Sequence, residues 1–417
     1  TSRQILGFEE AVHWLHSLDF AAHDGLVQRA RLLLLDTIAC AVAGFSEPVP
    51  QKLARALGAG DGNVRWPGAP RLTASAATFA AAVAACWHEA CEGLARAHGR
   101  PGLHAVPVAV SLGLAHQATL GEVLRAIIVG YEIGGRAGEA MRIRGGLHVD
   151  GTWGLFAAVG AAGSLMHLSA HQMLHALASA ACQVPTSLYA PVAAGQTARN
   201  TYVGHAAAAA ITLCAAAGAG VTAPTAAFAQ AAQNLGGTGP AQPWTWAPPN
   251  EFLLLQGYLK PFAAVRHVHY AAACAMERRQ KMGTGTEKIN ALRLETYQEA
   301  ITYCGNRHAA APIQAQFSLT HGAAFALRHG TLGPEAYLPE VFDDPEHTRL
   351  ERMFEVVADP QIKGRGARLI VVTSRGKEIY ATMSVLGDSD RPMMTTDVSQ
   401  KALGYMMPSL EIGRAHV

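Results

Sequence analysis

The residues best suited to chemistry start with one histidine in a glycine-punctuated stretch, Arg144-Gly-Gly-Leu-His-Val-Asp-Gly-Thr-Trp-Gly154. Glycines at 145, 146, 151 and 154 let the backbone take positive φ or approach a ligand closely. The spacing therefore predicts a loop that delivers His148 between a helical run at 124–141 and a long apolar one at 155–168. An imidazole titrates near neutrality and can take up a proton there. Four more stretches carry chemistry-capable side chains. His88-Glu-Ala-Cys-Glu-Gly93 is followed by Arg96, His98, Arg100 and His104, and on a helix His88 and Glu92 would face the same way. Gly195 to Gly204 holds Arg199 in a loop before a helix, and Lys260-Pro-Phe262 precedes Arg266, His267 and His269. Phe317-Ser-Leu-Thr-His321 is the last. Taken singly, each has a structural reading: a surface pair worth a few tenths of a kcal/mol, an arginine answering helix carbonyls, or interdomain salt bridges for Lys260 and Arg266.

Other chemistries lack their signatures. Cysteines 40, 86, 91, 182, 214, 274 and 304 form neither a CxxC pair nor a zinc-like spacing, and HExxH is absent, so no metal is expected. No GxGxxG follows a strand and no P-loop occurs, so no nucleotide cofactor is expected; GxSxG is also missing, which argues against an α/β-hydrolase. A formal charge of +2 without a block of like charges argues against nucleic acid as a partner. The odd cysteine count in a long apolar chain suggests reduced thiols and a cytoplasmic location. Arg3, Glu9, Glu10 and His13 stand where a signal peptide would need an apolar core. The nearest thing to a membrane span, His205 to Val221, is mostly alanine and short, and reads as a buried helix, so no membrane partner is expected.

These side chains must be positioned by a chain of 417 residues, half apolar and only 15% charged, which is enough for two or three domains with large cores. From Phe8 to about Ala264 the pattern is helix after helix: 8–17, 25–43, an interior run at 74–89, and a helix to Cys182 opened by a capping box at Ser169-Ala-His-Gln172. Alanine at this density implies thin helix–helix spacing. After Gly236 the texture changes, first to loop chemistry at 236–240 and 244–249. Strands are predicted at 288–296 and 354–358, with a hairpin at 367–374 and 378–385 turning at Arg375-Gly376. Helices at 314–328 and 334–341 interrupt them, and a helix returns at 398–407. The expectation is a mostly α protein: a helical domain at 1–262 and 392–417 around a smaller α+β domain at 263–391. Thin, weakly charged helices leave apolar faces to cover, which predicts a homodimer. Glu411-Ile-Gly-Arg-Ala-His-Val417 follows Pro408, continues no helical pattern and matches one frame of a widely used sequencing adapter, so read-through past a missing natural C-terminus is expected.

In this order the stretches resemble the MmgE/PrpD family, the group containing 2-methylcitrate dehydratase, cis-aconitate decarboxylase and iminodisuccinate epimerase. Leu33-Leu-Leu-Asp-Thr-Ile-Ala-Cys-Ala-Val-Ala-Gly44 is similar to its first long helix. Gly130-Tyr-Glu-Ile133, Leu147-His148 with Thr152-Trp-Gly154, Arg199-Asn-Thr-Tyr-Val-Gly204, Lys260-Pro-Phe262 with His269, and Gln316-Phe-Ser318 are similar to its later landmarks, over roughly residues 8–405. The resemblance implies a large all-helical domain, a smaller α+β lid domain, a homodimer and a cofactor-free site between domains. It implies His148 and Lys260 as catalytic residues, and Arg199, His269, His321 and Ser318 as substrate contacts. Arg199 stands where many members have lysine, and His321 where many have tyrosine. The chain departs from the pattern twice. Cys91 stands where members usually carry an aspartate, and Arg100-Pro101 replaces His-Pro, with His98 and His104 flanking the change. On the resemblance Cys91 and His98 join the catalytic set, and Arg100 and His104 the substrate-binding set, although a thiol of reference pKa ~8.5 is no copy of a carboxylate near ~3.9.

Removing water from a polycarboxylate, or epimerising it, means taking a proton beside a carboxylate. That requires a base of near-neutral pKa and fixed cations for the developing enolate-like charge. The expected activity is that of a lyase on a small di- or tricarboxylic acid, with dehydration of a 2-methylcitrate-like hydroxy acid leading. Decarboxylation or epimerisation of a related acid is the alternative within the enzyme class, and a catalytically silent carboxylate-binding protein is the alternative outside it.

Overall fold

The computed structural model describes residues 2–58, 60, 62–236, 251–282 and 289–414. The loop predicted at 236–240 lies outside the described residues beyond Gly236, as do the one at 244–249, Lys288 and residues 415–417.

The first half is built of helices that approach each other closely because their contact faces carry almost no side chain. Ala74–Cys86 is buried from Ala80 to Cys86 without a break. Leu120–Ala140 lies so near Gly154–Leu165 that a Cβ on Gly134 would stand 2.3 Å from the Cβ of Ala157. Only glycine permits that approach, and the gain is dense packing of small residues. The capping box expected at Ser169 is present: Gln172 N donates to Ser169 Oγ at 3.2 Å, and Ser169 N donates to Gln172 Oε1 at 3.0 Å. Thr119 and Glu122 form a second one, opening Leu120–Ala140. The run Thr197–Gly218 is long and apolar enough to cross a membrane by length and composition. Its helix packs within the protein against Ala74–Cys86, Gly154–Leu165 and Ala170–Cys182.

The later part carries a four-stranded sheet in the order Phe354–Ala358, Ile289–Thr296, Ala367–Thr373, Gly376–Thr382. The first pair is parallel and the others antiparallel. A parallel pair needs a long crossover, which here contains the helices Gln298–Cys304, Leu319–His329 and Pro345–Met353. The single helix expected at 314–328 is two: Pro312–Ala315, then Leu319–His329. Ser318 separates them because its Oγ accepts the His321 backbone N–H and caps the second helix. The helix expected at 398–407 runs Thr395–Arg414 with Pro408 inside it. A proline there removes one i→i−4 bond, that to the carbonyl of Gly404, without ending the helix. Thr395–Arg414 packs back onto Asp24–Phe45, and Lys401 Nζ donates to Asp36 Oδ1 at 2.6 Å. The chain is thus mostly α, with a small α+β portion towards its C-terminal end.

Candidate active site

The glycine-rich stretch at 144–154 becomes a loop pinned by backbone contacts. His148 N donates to Ser187 O at 2.8 Å, and Tyr189 N donates to Gly146 O at 2.9 Å. The His148 ring stacks on Tyr189, with centroids 5.8 Å apart and 15° between planes. Behind the loop, His104 Nδ1 donates to Arg100 O at 2.9 Å, while its Nε2 accepts from Gly151 N at 3.1 Å. A Cβ on Gly154 would fall 2.3 Å from His104 Nε2, so glycine there lets the next helix start against this histidine.

A cavity of about 450 Å³ opens beside the loop, lined by seven arginine or lysine side chains against three carboxylates. At its floor lies a buried charge network. Glu89 accepts from Lys260 Nζ at 2.8 Å and from Arg199 Nη2, and Arg100 Nη1 lies 3.1 Å from its Oε1. Arg100 also forks onto Asp150, with Nε 3.2 Å from Oδ1. Arg100 Nη1 is buried and, although close to Glu89, has no aligned hydrogen-bond acceptor. Glu89 and His98, both in the cavity wall, sit in the left-handed region at φ 54. Such strain is uncommon for residues with a Cβ and collects at functional sites.

Burial alone would raise both carboxyls. For Glu89, Arg100, Arg199 and Lys260 outweigh burial and hold the group well below the usual range. For Asp150, Arg100, His148 and Arg199 do the same. Both remain ionised and both are already neutralised by guanidinium or ammonium groups, so a metal cation would meet net positive charge here. The excess of cations suits a polyanion, which arginine holds bidentately and lysine as a point charge.

His148 is held neutral. Burial first, and then Arg199 and Arg100, push its imidazole down to about 4 against the opposing pull of Asp150 and Glu89. Arg199 Nε points at Nε2 from 3.2 Å and Asp150 N at Nδ1 from 3.1 Å. A neutral imidazole has one lone pair for these two donors and an imidazolium has none. Added protons are therefore resisted, which is the state a base must occupy before it acts.

Burial likewise lowers His88 and His321 to about 4. In the unfolded chain these groups take up protons near ~6.5. Between that value and about 4 the unfolded state binds more protons, so stability is full above the window and lost as pH falls through it. These histidines should lower the melting temperature progressively from pH ~6.5 towards ~4, against the opposite contribution of Glu92 and Glu351, whose carboxyls burial pushes up to about 7. Circular dichroism melts of wild type and His88→Gln read the histidine part, and an identical pH dependence in the two would show that His88 is not buried neutral.

His148, Lys260, Arg199, Arg100 and His98 all line the cavity. Arg266 and His267 also line it, whereas the remaining residues of the expected catalytic and substrate-binding sets lie elsewhere. Cys91 is fully buried and donates to Ala85 O at 3.0 Å; a hydrogen bond with Cys40, then burial, pushes its thiol well above the ordinary value. His104 supports the loop from behind. His269 has both ring nitrogens engaged, Nε2 with Ala264 O at 3.0 Å and Nδ1 with Arg266 Nη1 at 3.2 Å. Ser318 is a helix cap, and His321 faces His347 and Glu351. His88 and Glu92 are not helical neighbours, because the helix ends at Cys86 and the chain turns through Glu89. His88 Nε2 stands 3.4 Å from Glu47 Oε1, whereas Glu92 accepts from Leu103 N and the Tyr131 hydroxyl. Glu89 and Asp150 escaped the sequence reading. The available signal for Glu89 was a second carboxylate two positions from Cys91, where an aspartate was missing.

Comparison with known families gives two matches. The MmgE/PrpD N-terminal domain matches residues 9–240. The MmgE/PrpD C-terminal domain matches residues 262–416. No individual curated protein matches the chain.

Proposed function

Because the chain belongs to the MmgE/PrpD family, a group of dehydratases and related enzymes, we propose that it dehydrates a small hydroxy di- or tricarboxylic acid resembling 2-methylcitrate. The observation that carries this reading is a neutral imidazole, His148, at a cavity wall whose floor holds Arg199, Arg100 and Lys260. A substrate carboxylate takes the guanidinium of Arg199, drawing it off His148 Nε2 and freeing that lone pair. The same negative charge raises the imidazole's proton affinity from its low resting value.

His148 Nε2 then removes the proton from the carbon beside a carboxylate. The C–H electron pair moves towards that carboxylate, where Arg199 and Arg100 hold the developing charge. The pair returns to form the carbon–carbon double bond as the C–O bond of the hydroxyl breaks. The Lys260 ammonium gives the departing oxygen a proton, and water leaves. The imidazolium proton passes through solvent to the Lys260 amine, restoring both groups. These side chains supply base, acid and anion binding.

The test is ultraviolet absorbance of the purified protein with a panel of hydroxy di- and tricarboxylates, since dehydration creates a double bond conjugated to a carboxylate. At least one acid should give a steady rise. A panel that gives no rise, with an acid still bound in calorimetry, would replace this reading by the silent carboxylate binder.

A further inference from the structure

Away from the cavity, the Leu319–His329 and Pro345–Met353 helices bring three metal-ligating side chains to one buried point. His347 and Glu351 stand one turn apart on the second helix, and His321 faces them from the first. His321 Nδ1 is 3.1 Å from His347 Nε2 and 3.7 Å from Glu351 Oε1, and His347 Nε2 is 3.7 Å from Glu351 Oε2. A tetrahedral ion with bonds of ~2.0–2.1 Å spaces its ligands by ~3.3 Å. One ligand atom from each of the three residues lies within 4.8 Å of the other two, so the two imidazoles and the carboxylate stand around a point that one small ion could occupy.

The surroundings fit the same purpose. His321 Nε2 donates to Ala336 O at 2.9 Å, which fixes the tautomer and leaves the Nδ1 lone pair facing the cluster. The rings of Phe342 and Tyr337 stack on His321 and wall off the site. Glu351, 9% exposed, has an Oε1 with no hydrogen-bond donor, and this oxygen faces His321. Hydrogen bonding among these groups leaves that buried oxygen unpartnered, which is unfavourable; a cation at the centre would satisfy it.

We propose that His321, His347 and Glu351 bind one divalent first-row transition ion of the zinc type, pinning the two helices together. Two imidazoles and a carboxylate are a donor set that such ions favour, with a water completing the fourth position. None of the three lines the catalytic cavity, so the ion's role is to hold the fold. No local pattern advertises the site, because His321 lies 26 residues before His347 and only the fold joins them.

The experiment is titration of chelator-stripped full-length protein with Co²⁺, followed by displacement with Zn²⁺. The expected result is one Co²⁺ per chain, visible d–d absorption of a four-coordinate nitrogen and oxygen site, and its loss on adding Zn²⁺. Zn²⁺ should raise the melting temperature, because an ion that binds the folded state alone stabilises it. Glu351→Gln and His347→Ala should each weaken Co²⁺ binding ~10-fold or more, while His148→Ala should leave it unchanged. Should the variants fail to fold, X-ray absorption of the loaded wild type decides: two imidazoles and a carboxylate support the site, and thiolate ligation overturns it. Absence of Co²⁺ binding by the folded wild type, or binding indifferent to both substitutions, would also overturn it.

Discussion

His148→Ala is expected to lower kcat by ~10²-fold or more while leaving the fold intact. The loop is held through the backbone, by His148 N on Ser187 O and Tyr189 N on Gly146 O, and these bonds survive loss of the ring. What disappears is the only imidazole whose nitrogen meets Arg199 among the described residues. A residue that merely bound substrate would change KM with kcat preserved, so steady-state kinetics separate the two roles. In the wild type, activity on the acid side should track the neutral form of His148. After correction for the substrate's own carboxyl ionisations, kcat/KM should hold level down the acid range and fall only as pH approaches about 4, where the free protein's imidazole charges. In kcat the same limb should lie higher, because bound carboxylates favour the imidazolium. Circular dichroism checks the variant's fold, and kcat undiminished in His148→Ala would remove this residue from proton transfer.

Glu89→Gln should cost ~3–5 kcal/mol of stability, because it leaves buried cations without their counter-charge. Glutamine fits the space but carries no charge, and Arg100, Arg199 and Lys260 would then face each other with Asp150 as the remaining buried counter-ion. The left-handed backbone at this position is retained by the network and would lose part of its support. A tricarboxylate in the buffer should recover much of the lost melting temperature, because it supplies the missing negative charge to the same cations. Denaturant unfolding reads the loss, and thermal melts with and without the acid read the rescue. A variant as stable as wild type would mean that Glu89 does not balance the three cations.

Much of this arrangement was legible in the sequence where the signal was local. The glycines flanking His148, the capping box at Ser169 and the hairpin turning at Arg375-Gly376 each fix a conformation within a few residues, and each appears in the structure. Arg199 in its loop before a helix and Lys260 beside Pro261 are marked by the sequence around them, and both reach the cavity. The reading of 88–92 as helix failed because nothing local announces the turn at Glu89. That residue has positive φ, and its carboxylate is held by Arg199 and Lys260 from far along the chain. His104, His269 and His321 carry the right chemistry, but their direction depends on tertiary contacts, which send them to Gly151, Ala264 and Ala336 instead. Asp150 sits within the conspicuous loop, but no local pattern marks it, because its partner, Arg100, lies fifty residues earlier.

Proton transfer through His148 is tested most directly by isotope exchange with the acid that responds in the absorbance panel. The reaction is run to equilibrium in D₂O, and the hydroxy acid is recovered and analysed by mass spectrometry and NMR. Wild-type protein should return hydroxy acid carrying one deuterium on the carbon beside the carboxylate, because rehydration draws its proton from solvent, and His148→Ala should return it unlabelled over the same time. Labelling by His148→Ala at the wild-type rate, or turnover by the wild type with no deuterium at that carbon, would contradict the account.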